Sequence, residues 1–192
     1  MTTKILLAGL LGGVAMFVWM FVAHMVLPLG MVGMREIPNE QAVLAPMRAA
    51  IGETSGMYLF PGMGVGPNPT REQQQAAMST YGEKLAQNPS GLLIYHPPGE
   101  KPITPGQLIT EFLQEVIESL VVAFLLAQTR LGGFAAKVGF VLLIGIVAAI
   151  TTNGSYWNWF GFPASYTLAS ITSQVVGYLC AGLVIAYFVK PR

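Results

Sequence analysis

The sequence predicts an all-α membrane protein: four transmembrane helices, with a small α/β extracytoplasmic insert between the first and the second. Three observations carry this. Of 192 residues, 53% are hydrophobic and only 10% charged, and the mean hydropathy is +0.57, a balance typical of membrane proteins. Apolar runs long enough to cross a hydrocarbon layer of about 30 Å recur along the chain. Between the first two runs lies a single stretch, residues 28–104, that is rich in proline and in charges of both signs.

The same composition removes several function classes. The net charge is +1 and no basic cluster exists to hold nucleic acid. The single cysteine, Cys180, sits in an apolar run. It rules out an intrachain disulfide scaffold and cysteine-based zinc sites.

Residues 5–27 carry no Lys, Arg or Glu and follow Lys4. The run is too long for a signal-peptide core and lacks a small-x-small cleavage site, so it reads as transmembrane helix 1. Gly9 and Gly13 form a Gly-xxx-Gly pair, which lets a second backbone come close. His24 is the one ionisable side chain of this helix.

Within the insert, Asn39 is placed to cap a helix running to Arg48, with Pro46 bending it or shifting its start. Residues 57–60 and 92–96 read as short strands, each stopped by proline. Thr70 with Gln73 is a capping box that opens a helix to about Gln87. Gly62-Met63-Gly64-Val65-Gly66 lacks the Gly-Lys-Ser/Thr ending of a phosphate loop and reads as an irregular turn.

Residues 105–130 form the second span. Thr104, Pro105 and Gln107 give it a capped start. Glu111, Glu115 and Glu118 then fall on one helical stripe, and three carboxylates in a membrane must face protein, ions or water. The polarity of helix 1 against helix 2 brings His24 level with Glu111 and Glu115. It sets Glu118 deeper, toward Gln174. The expected pairs are therefore His24 with Glu111 or Glu115, and Glu118 with Gln174.

Residues 134–152 read as helix 3, with Lys137 snorkelling to the interface. Residues 153–163 read as an aromatic interfacial loop. There Tyr156, Trp157, Trp159, Phe160 and Phe162 suit the headgroup layer, and Asn153-Gly154-Ser155 matches a weak glycosylation sequon. Residues 164–189 form helix 4. In it Ala169, Ser173, Gly177 and Ala181 recur every four positions as a flat seam for a neighbouring helix. With the N-terminus inside, Lys4, Arg130, Lys137, Lys190 and Arg192 are all cytoplasmic, and the insert is extracytoplasmic.

The residues Gly9 to Gly13, Trp19-Met20-Phe21 with His24, Ile37-Pro38-Asn39-Glu40, and above all Asn153 to Pro163 resemble a family of uncharacterised bacterial four-helix inner-membrane proteins. The likeness covers the whole chain. It implies a bacterial inner membrane and carries no activity, cofactor or catalytic residue.

Taken together, these residues predict a non-catalytic membrane subunit or scaffold whose partners are the bilayer and other membrane subunits or further copies of itself. The competing expectation is a carrier of small ligands, ions or protons, or a quinone or lipid binder, that uses the acidic stripe with His24 and Gln174. An enzyme is the weakest reading. His24, His96, Glu111 and Glu115 are possible metal ligands by type, but they lack the spacing of a known metal or nucleophile motif.

Overall fold

A computed structural model describes residues 3–190. The chain divides into two compact units, one built from residues up to Arg35 together with those from Pro102 onward, the other from Glu36–Lys101.

The first unit contains four long helices: α1 (Thr3–Phe21), α4 (Pro105–Ala127), α5 (Phe134–Phe160) and α6 (Ala164–Phe188). Three helical stretches, Thr3–Val26, Phe134–Phe160 and Ala164–Phe188, are long and apolar enough to cross a membrane. The three carboxylates of α4 set it apart from them. Its start is the capping box expected from sequence: Gln107 N–H donates to Thr104 Oγ1 at 3.3 Å, and Thr104 N–H donates to Gln107 Oε1 at 2.8 Å. It ends at Ala127 rather than 130. The α-helix of α1 gives way to one wide turn, Val22–Val26, in which Leu27 N–H reaches back five residues to Val22 O.

Close packing follows from the glycines. A Cβ added at Gly9 would lie 2.7 Å from Leu120 Cα, and one at Gly13 would lie 2.5 Å from Val116 Cα. The two glycines therefore lay α1 directly on the backbone of α4. Helix α5 buries Lys137, Val141, Gly145, Ala149 and Asn153, one residue every four, against α6. There a Cβ at Gly145 would meet the Tyr178 ring at 2.6 Å. The ridge of α6 (Ala169, Ser173, Gly177, Ala181) is buried throughout and turns toward α1. Its Gly177 is not the tight point, since a Cβ there would find Trp19 at an ordinary 3.5 Å. What fixes this contact is polar: Trp19 Nε1 donates to Ser173 O at 2.8 Å.

Two expectations for α5 need correction. The helix does not stop at 152 but continues to Phe160, where Gly161 takes the left-handed conformation of a helix C-cap. Asn153 and Gly154 are poor helix formers in water. Here the Asn153 amide is satisfied by Ala149 O at 2.9 Å and by Gln174 Oε1 at 3.3 Å, which removes the reason to leave the helix. The aromatic residues thus stand on the last turns of α5 and just after it, with Trp157 and Trp159 exposed. Lys137 does not reach outward either. It is 93% buried and donates to Val189 O at 2.6 Å, with Ala186 O at 3.5 Å. Carbonyls at a helix C-terminus lack intrahelical donors and carry the negative end of the dipole, so they draw a cation.

The second unit holds α2 (Gln41–Ile51), β1 (Gly56–Phe60), α3 (Arg71–Gln87) and β2 (Gly91–Tyr95). The strands begin one residue earlier than expected and pair antiparallel, from Gly56 opposite Tyr95 to Phe60 opposite Gly91. Tyr95 is the unit's one buried large side chain among the described residues. Its ring meets Tyr58 edge-on, and its hydroxyl donates to Gly52 O at 2.8 Å. The capping box at Thr70 and Gln73 opens α3 as predicted. Asn39 does not cap α2: it sits at φ +59°, and the helix starts at Gln41. Pro46 lies inside α2.

Candidate functional site: an acidic cleft between the helices

The four long helices close on one another at one end only. There Ala8 of α1, Val122 and Leu126 of α4, Val141 of α5 and Ile185 of α6 form a single buried cluster, beside the short connection of residues 128–133. Helices α4 and α5 make little contact with each other. A cleft of about 160 Å³ opens between them. Its walls are Glu111, Gln114, Glu115 and Glu118 on one side and Ala148 and Thr152 on the other; Met16, Met20, Gln174, Gly177 and Tyr178 make its floor.

Each carboxylate has a different environment, set by its place on the stripe. Glu115 lines the cleft and is 93% buried. Among the described residues its Oε2 has no hydrogen-bond partner, and neither has the buried hydroxyl of Ser119 one turn on. A buried acceptor without a donor is costly and rare in folded proteins. Glu118 is exposed on the open side of the cleft, and its Oε2 accepts from the Tyr178 hydroxyl at 3.0 Å. The expected partner, Gln174, is instead the acceptor for Asn153 Nδ2. The helix is the expected one, but the partner is Tyr178, one turn along α6 from Gln174. Glu111 is exposed near the mouth.

His24 does not bond a carboxylate. The wide turn at Val22–Val26 rotates its ring onto its own helix, where Nδ1 lies 2.9 Å from Met20 O. It nevertheless shares two further cavities with cleft residues. One, of about 350 Å³, runs from Glu111 and Gln107 past Phe17, Phe21, Met25 and Leu108. The other, of about 280 Å³, includes Thr152, Asn153, Tyr156, Phe162, Tyr166, Ser173 and Gln174. Met20 lines all three cavities. Of the aromatic residues singled out in the sequence, Tyr156 and Phe162 are brought to a cavity wall and stack on each other at 5.4 Å.

Among the described residues no three of His, Cys, Asp or Glu lie close enough together to hold a metal ion. His96 is in the other unit, 3.5 Å from Glu100. Sequence reasoning missed Tyr178, Asn153, Thr152 and Gln114. Tyr178 and Gln174 lie four apart on α6, and Gln114 continues the acidic stripe of α4 by one residue; a helical wheel that marked every polar side chain would have found them.

The class of protein follows from the helices: three are long and apolar enough to cross a membrane, as in an integral membrane protein. No protein-family model, curated protein or solved structure matches the chain.

Proposed function

We propose that the chain is a non-catalytic integral subunit of a larger membrane assembly. In this reading α4 is a fourth span, both termini are cytoplasmic, the Glu36–Lys101 unit is extracytoplasmic, and the resemblance noted above favours a bacterial inner membrane. One observation carries the subunit reading. Glu111, Gln114 and Glu118 are exposed on the open side of the cleft, and Glu118 lies about 20 Å along α4 from Thr104 by the helical rise. At that depth the side of the cleft would face hydrocarbon, where carboxylate and amide groups are expensive. A neighbouring membrane helix that covers the opening removes the cost. The rest of α4 agrees with a spanning helix, since Ile109, Leu113, Ile117, Val121 and Phe124 are exposed and apolar.

Native mass spectrometry of protein extracted in mild detergent tests this. The expected result is a stoichiometric membrane partner or a defined oligomer of the chain. A monomer under conditions that preserve other assemblies from the same membrane would sink the reading. A second reading, a carrier of small ligands, ions or protons, is favoured by the largely buried Glu115 carboxylate on the cleft wall.

A further inference from the structure

Three features of the cleft bear on what it holds. Its lining has a negative excess: Glu111, Glu115 and Glu118 lie along one wall, and neither Lys nor Arg lines it or the two cavities beside it. It is lined by a 93% buried carboxylate, Glu115, whose Oε2 has no donor among the described residues, together with Gln174 and Thr152. Finally, it changes character along its length. The inner part is polar, whereas the adjoining cavity toward His24 is walled by Phe17, Phe21, Met25, Ile103 and Leu108.

We propose that this cleft binds a small primary alkylammonium ion, with the ammonium against Glu115 and the carbon chain lying toward the Phe17–Phe21 mouth. An ammonium group brings three N–H donors and no acceptor. The Glu115 carboxylate, on the cleft wall, takes one; Thr152 Oγ1 and the Gln174 side-chain oxygen, on the same lining, are acceptors for the others. Met16 and Met20 give the first methylenes a compliant apolar floor, and the two phenylalanines suit a cation or an alkyl chain on its way in. A metal ion fits less well, because among the described residues no three His, Cys, Asp or Glu side chains come together to hold one. Passage through the protein is blocked by the Ala8, Leu126, Val141 and Ile185 cluster, so the cleft is a binding site rather than a channel. The inference goes beyond the subunit reading and does not need a partner.

The test is thermal unfolding of the full-length protein in detergent at near-neutral pH, with n-butylammonium chloride as probe. Sodium chloride at equal ionic strength controls for charge, n-butanol for the chain, and tetramethylammonium chloride for a cation without N–H donors. The inference expects a saturable rise in melting temperature with butylammonium alone. Glu115→Gln should weaken binding by roughly tenfold or more, the loss of a charge-assisted hydrogen bond. Thr152→Leu, at an exposed position on the opposite wall, should weaken it by filling the cleft without altering its charge. If Glu115→Gln does not fold, Thr152→Leu and Glu118→Gln carry the comparison. No saturable shift, an equal shift with any control, or saturation unchanged in the folded variants overturns the inference. None of these outcomes bears on whether the chain has a protein partner, which the mass measurement decides separately.

Discussion

At the scale of single residues, stability in the spanning unit depends on where side chains are missing. Gly13 holds α1 on the α4 backbone, so Gly13→Ala forces the two helices apart. The expected loss is about 1–3 kcal/mol, the usual cost of overpacking. Gly177→Ala, with ordinary contact distances around its new methyl, should stay near wild type. Equal melting temperatures for the two variants would remove the tight seam from α1. Lys137→Met should cost about 1–3 kcal/mol, because it strips donors from buried carbonyls. Its effect should appear as faster amide exchange over the last turn of α6, and unchanged exchange there would contradict the clamp. The glycine pair of α1 was legible in the sequence because Gly-xxx-Gly has a direct steric meaning. The inward turn of Lys137 was not, since snorkelling and helix capping use the same residue type near the same helix end. The pairing of Glu118 was half legible: helical rise gives depth and therefore the helix it must face, but one turn of rotation separates Gln174 from Tyr178.

At the scale of elements, α4 decides the architecture. Its capped start could be read from Thr104, Pro105 and Gln107 alone, because a capping box is local chemistry. Whether it crosses depends on the wider setting. Single cysteines at Gln107 and Thr129, placed in a Cys180→Ala background, should be labelled from opposite sides of intact membranes by an impermeant reagent. Labelling of both from the same side would show that α4 does not span. The end of α5 was misread for a tertiary reason. Asn153, Gly154 and Ser155 look like a turn, and only the amide contacts of Asn153 with Ala149 and Gln174 reveal a helix that runs on. The strands of the insert were found to within one residue, since proline and glycine bound them on both sides.

For the molecule as a whole, the long helices share a closed end and an open one. The closed end is apolar and sits where α4 and α5 are tied by a short connection. The open end gathers the three carboxylates of α4. Apolar runs made the first part readable in sequence; the cleft was not, because it arises from two helices failing to touch. In the proposed orientation the basic flanks Lys4, Arg130 and Lys190 lie in the cytoplasm with the closed end. Impermeant labelling at Glu83 and at Trp157 should then occur in intact cells, and labelling only after permeabilisation would reverse the orientation.

In the proposed orientation, a cleft blocked at its cytoplasmic end would lie inside the electric field of an energised membrane. A cation moving from the mouth to Glu115 would cross a part of that field, while one that stayed at the surface would not. The full potential difference does work of about 2.3 kcal/mol on one charge per 100 mV, so a site part-way down feels a share of it. With the mouth outward and the cytoplasm negative, the field drives a cation inward. In proteoliposomes with the mouth facing the medium, alkylammonium binding should tighten when a potassium diffusion potential makes the lumen negative and relax when it is collapsed. Occupancy indifferent to the potential would put the bound charge at the surface, outside the cleft. An energised membrane would then set how full the pocket is, with no moving part in the protein.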